Sequence, residues 1–218
     1  MSDHFKTFIN SLSDLDYHIG IITTDVSSKL NQLRAFTSDK NNNSVGALQD
    51  GSFIRFSDNS FFLTNQSPDV DSLFSTAIQR PETTVCEDAL ASGVNIKENC
   101  PSADERAILA ASLAIDKLPA SFIREKAHLA LVILSDEDER SASGSLKGYS
   151  LEEGDQPQAL VDKVHAVLGA AKTFSAHTVG IRPGDSACLT EQSHQAYGVR
   201  GFEAHVYSEL TTLTAGVF

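Results

Sequence analysis

The sequence predicts an α/β fold, a doubly wound and mainly parallel sheet with helices on both faces. Three observations carry that expectation. Apolar, β-branched runs alternate along the chain with stretches of helical period. The run from Ala127 to Leu134 is continuously apolar apart from His128 and is bounded by charges, the pattern of a central strand buried on both faces. Proline and glycine fall between these stretches, at Pro81, Pro157, Pro183-Gly184 and Gly216.

Taken in order, Phe5, Phe8, Ile9 and Leu12 have the i, i+3, i+4, i+7 spacing of an amphipathic helix. Ile19 to Thr24, entered from Asp16-Tyr17-His18, reads as a buried strand that ends at Asp25. Ser38 to Ser44 is a polar surface loop, and Ser52 to Phe56 alternates like a half-buried strand. Ser67-Pro68 offers an N-cap and a first-turn proline for a helix carrying Val70, Leu73, Phe74, Ala77 and Ile78, which Pro81 stops. Ser102 and Glu105 form a capping box ahead of Ile108, Ala111, Ile115 and Leu118, which share one apolar face. After the Ala127–Leu134 strand, Ser135 to Glu139 sits at its carboxyl end, and Ser141 to Gly154, rich in glycine and serine, predicts a mobile loop. Pro157 opens a helix with Leu160, Val164, Val167, Leu168 and Ala171 on its apolar side. Ser175 to Ile181 is a further strand, and a last helix carries Val206, Leu210 and Leu213 before Gly216.

At 218 residues and 41% hydrophobic, the chain is expected to form one domain, residues 1–218. Its formal charge is −12 and its 17 Lys and Arg are scattered, so there is no basic stripe for nucleic acid or anionic membrane surfaces. The longest apolar run, Leu129 to Leu134, is far short of the roughly 20 residues that cross a bilayer. Met1 is followed by Ser2, Asp3 and His4, so no secretory signal is read here. Cys86 and Cys100 bracket a polar segment, either a stapled loop or two free thiols, and Cys188 is left over.

Ligands of open parallel sheets bind beyond the carboxyl ends of the strands. Two acidic positions reach that edge, Asp25 and the run Asp136 to Glu139. Hard divalent cations favour such oxygens, and a solvated acidic loop has the same composition. Enzyme signatures are lacking: no G-x-G-x-x-G, no G-x-x-x-x-G-K-[ST], no G-x-S-x-G and no H-E-x-x-H. The seven histidines do not cluster, and His165 and His177 read as helix and strand residues rather than bases.

The stretches from Leu15 to Val26 and from Phe122 to Asp138 resemble a bacterial group of exported von Willebrand factor A-type proteins. That resemblance implies a doubly wound sheet with a metal-ion-dependent adhesion site at its carboxyl edge. Asp136 matches the aspartate after the buried strand, and Ser102 matches the hydroxyl ligand before a later helix. The D-x-S-x-S motif is absent, since Asp25-Val26-Ser27-Ser28-Lys29 ends in lysine where the second serine belongs. The family's first strand and its last strand are both expected to be missing, which would leave Cys188 without a partner.

The function this implies is a non-enzymatic protein-binding or adhesion module that holds a partner's carboxylate through Mg²⁺ or a similar cation. With the site incomplete, the chain alone is expected to bind no metal and to be prone to self-association. The alternatives are a metal-free structural subunit of a bacterial envelope assembly and, further off, a doubly wound hydrolase. An extracytoplasmic location and a Cys86–Cys100 disulfide go with the resemblance.

Overall fold

The computed structural model of the chain describes residues 7–9, 11, 12, 14–24, 26, 50–78, 105–119, 121–141, 149–193 and 201–218. In chain order the elements are β1 (His18–Ile19), β2 (Leu63–Thr64), α1 (Val70–Ile78), α2 (Ala107–Ile115), β3 (Leu129–Leu134), a 3-10 turn (Glu153–Asp155), α3 (Pro157–Leu168), β4 (Phe174–Val179), α4 (Ser186–Ser193) and α5 (His205–Leu213). The architecture is mixed α/β. β1 and β2 pair antiparallel. β3 and β4 pair parallel, from Leu129 opposite Phe174 to Leu134 opposite Val179.

The main core forms where α2, α3 and α5 pack on one face of the parallel pair. Ile133 and Ala176 meet Ile108, Ala111, Leu160, Val164 and Leu210 there, with Leu129, Leu131 and Phe174 at the margin. Burying a Leu or Ile side chain of this kind contributes about 1.5–3 kcal/mol. Side chains of a strand alternate between faces. Ala130, Val132 and Leu134 therefore point away from these helices, and they are exposed, Val132 at 48% and Leu134 at 44%. The expectation of a strand buried on both faces is corrected here. The run is apolar throughout, but among the described residues helices cover one face of it.

A smaller core of Ile9, Phe56, Leu63, Leu73 and Phe74 lies under α1. Residues 7–9 are helical, and Ile9 is the buried member of that turn. The strand expected over Ile19 to Thr24 shortens to His18–Ile19. Beyond it the carbonyl of Ile21 accepts from Ile54 N–H at 2.8 Å, and that of Thr24 accepts from Arg106 N–H at 2.8 Å. Ser52 to Phe56 joins no ladder, yet its alternation of burial holds, with Ile54 and Phe56 inside and Arg55 outside.

Two helix starts differ from expectation. Ser67 Oγ accepts from Thr64 N–H at 3.0 Å, closing the turn after β2, so α1 begins only at Val70. Glu105 lies before α2 rather than in its first turn, because its N–H and C=O bond Ser141 and Arg140 (3.3 and 2.6 Å). Ser102, the expected partner of Glu105 in a capping box, lies outside the described residues. α3 starts at Pro157, as the sequence indicates, and buries Leu160 and Val164. At the C-terminus, a Cβ on Gly216 would sit 1.7 Å from the carbonyl oxygen of Ala176. Only glycine lets residues 214–217 close on β4, where Thr214 Oγ1 accepts from Ala176 N–H and Val217 C=O from Thr178 N–H.

Candidate functional site at the carboxyl edge of the parallel pair

The acidic run after β3 divides by destination. Glu139 is 4% exposed and turns back under α2, where its oxygens accept from Ile108 N–H (2.9 Å) and Leu109 N–H (3.3 Å). It thereby satisfies two of the orphan donors at that helix's N-terminus. Asp138 does the same for α5, accepting from Val206 N–H at 3.0 and 3.1 Å and from Tyr207 N–H at 3.4 Å. Glu137 is buried and accepts from Ser141 Oγ at 2.8 Å. Asp136 is exposed, and its Oδ2 accepts from Gln192 Nε2 of α4 at 2.7 Å.

Beneath this edge lies a buried ion cluster. Arg106, 1% exposed, grips the fully buried Asp155 with Nε on Oδ1 (2.8 Å) and Nη2 on Oδ2 (3.0 Å), and reaches Glu152 at 2.9 Å. Arg140 Nε approaches the same Asp155 at 3.7 Å. Asp155 also accepts from Glu152 N–H at 2.7 Å, which fixes the 3-10 turn. The C-terminal part of the expected mobile loop stays exposed but is tethered: Tyr149 N–H donates to Arg140 C=O at 2.7 Å, Arg140 Nε to Ser150 C=O at 3.2 Å, and Arg106 to Glu152.

Desolvation by burial holds Glu139 well above the ordinary carboxylate range, against the backbone N–H groups of Ile108 and Leu109. It raises Asp138 as well, against the N–H groups of Val206 and Tyr207. The Tyr207 hydroxyl is pushed far up by burial and by the Glu139 charge. Glu152, by contrast, is drawn down by its hydrogen bond to Arg106.

Of the two metal-ligand candidates, Asp136 stands at the edge and Ser102 lies outside the described residues, as do Asp25, Cys86 and Cys100. Among the described residues the oxygens around Asp136 do not fit a six-coordinate hard cation. Its carboxylate neighbours face inward to helix N-termini and Ser141, and no group of three or more His, Cys, Asp or Glu could hold a metal. Cys188 is an exposed free thiol on α4.

One hydroxyl–imidazole contact escaped the sequence reading. Ser175 Oγ lies 2.7 Å from His128 Nε2 and 2.9 Å from His177 Nε2. His177 Nδ1 accepts from Val217 N–H, so its Nε2 carries the proton and donates to Ser175, whose own proton points to His128. Ser175 is only 8% exposed, and among the described residues no third group orients His128. The contact joins the starts of β3 and β4, with His128 exposed. Arg106, Asp155 and Tyr207 also went unforeseen, since their partners are distant in sequence. Comparison with protein-family models, with curated proteins and with solved structures gives no match. No described helix is long and apolar enough to cross a membrane.

Proposed function

We propose that the chain is a non-catalytic protein-binding module of von Willebrand factor A type, a doubly wound domain whose partner meets the carboxyl edge of the sheet at Asp136. The allocation of the acidic run supports this reading. Glu137, Asp138 and Glu139 are committed to internal partners, while Asp136, just after β3, is exposed and meets α4 through Gln192. Such an edge offers a fixed anionic contact and, among the described residues, no pair of groups poised to pass a proton to a substrate.

In the family that the sequence resembles, a cation at this edge takes a carboxylate of the partner. Here Asp136 and Ser102 supply at most two contacts, so the contact is direct, and a chain of charge −12 favours a basic group on the partner. The resemblance also places the protein outside the cytoplasm, with Cys86 joined to Cys100. Mass spectrometry of non-reduced peptides from native material finds that link on this reading, and two freely alkylated thiols count against the location.

The test of function compares the immobilised chain with D136K against an envelope extract, with and without EDTA. The expected result is a bound protein that D136K loses and EDTA leaves in place. Binding indifferent to D136K favours a structural subunit instead. Turnover in a hydrolase substrate panel that S175A abolishes overturns the non-catalytic reading.

A further inference from the structure

The bare edge of β3 has a shape and a hydrogen-bonding demand of its own. Leu129 N–H bonds Thr173 C=O and Ser135 N–H bonds Val179 C=O, so the odd-numbered residues of the strand face β4. In a parallel pair the intervening residues direct their N–H and C=O to the other side. Among the described residues, those of Ala130, Val132 and Leu134 meet no partner there. β4's far edge is closed by residues 214–217, whereas the outer edge of the six-residue β3, roughly 20 Å long, meets no strand among the described residues.

Next to this edge is a cavity of about 100 Å³. Gly20, Ile22 and Phe53, Ala130 of β3, and Ala111 and Ala114 of α2 are among the residues that line it. No lining residue is charged.

We propose that this slot takes an extended, uncharged segment of a partner polypeptide, with apolar side chains at every second position, added to the sheet alongside β3. A row of alternating donors and acceptors is matched by another backbone and by little else. Side chains on one face of the added strand enter the apolar slot, and those on the other lie beside the exposed Val132 and Leu134. A single extended segment is the occupant proposed because a second copy paired through β3 would bring its own β4 along beside the added strand, on the side towards residues 20–22 and Phe53.

The surface extends the binding-module reading without involving Asp136, so the two fail separately. The probe is a fluorescein-labelled peptide of alternating valine and threonine, six residues between terminal lysines, titrated into the full chain by anisotropy. Two control peptides are N-methylated on the valine set or on the threonine set. Saturable binding is expected, with at least one methylated peptide weaker by about tenfold or more, the scale of one to three lost hydrogen bonds. D136K binds the probe unchanged, whereas V132P, which removes one outward N–H, weakens it. Amide exchange of Ala130, Val132 and Leu134 in the unmodified chain is fast alone and slows with peptide, a readout that holds even if V132P does not fold. Exchange already as slow as that of Leu131 and Ile133 without peptide, or binding indifferent to N-methylation, overturns the proposal.

Discussion

Replacing Arg106 by methionine removes the guanidinium from a carboxylate that has no access to water. Asp155 is fully buried and takes two charge-assisted hydrogen bonds from Arg106, at 2.8 and 3.0 Å. Stranding one member of such a pair costs about 3–5 kcal/mol. Arg140 at 3.7 Å and the Glu152 N–H at 2.7 Å remain as partial compensation, which places R106M at the lower end, about 3 kcal/mol. In a chain of this size that corresponds to a melting temperature lower by about 6–12 °C. The double variant R106M/D155L removes both charges and exchanges them for apolar packing, so it is less destabilised than R106M, by about 1–2 kcal/mol. Urea unfolding followed by circular dichroism measures both. R106M costing less than about 1 kcal/mol, or a double variant worse than the single one, would refute a buried pair coupling α2 to the 3-10 turn.

Asp138 acts as a cap delivered from a distance, so D138A lowers stability by about 1–2 kcal/mol in the same assay, and a loss within ±0.5 kcal/mol rules that role out. Glu139 sets a pH dependence: burial raises its folded value above the unfolded 4.5, so the folded state holds the proton more tightly, and the stability it contributes is full below 4.5 and lost as pH rises through the folded value. The urea midpoint therefore falls on going from pH 4.5 towards neutral, and E139Q flattens that fall; a midpoint that rises over the same range and is unchanged in slope by E139Q contradicts the assignment. For residues 1–218 alone, calorimetry with Mg²⁺ shows negligible binding, and micromolar affinity abolished by D136A would mean that Ser102 and others complete a site.

The elements carried by local signals were legible. Pro157 sets the start of α3, the spacing of Leu160 and Val164 sets its buried face, and the β-branched character of Thr178 and Val179 marks β4. α4 was missed although Asp185 announces it, its side chain accepting from Cys188 N–H at 3.0 Å in the manner of an N-cap. What the sequence hid is tertiary. Glu139 reaches α2 across 31 residues, Arg106 meets Asp155 across 49, and Asp138 reaches α5 across 68. An acidic run reads as solvated or metal-binding until the helix N-termini it faces are known. In the same way, Ser67 looked like a helix cap because its turn with Thr64 leaves no periodic trace.

A protein-binding role for the Asp136 edge is tested most directly by a photo-crosslinking amino acid placed at Gln192, which touches Asp136, in the chain expressed in its native host. The control position is Lys163, ion-paired with Asp116 just beyond the far end of α2. The expected result is one discrete protein adduct from position 192, absent from position 163 and lost when Asp136→Lys is added. Adducts equal at both positions, or an adduct at 192 that the charge reversal leaves untouched, would contradict the role of this edge.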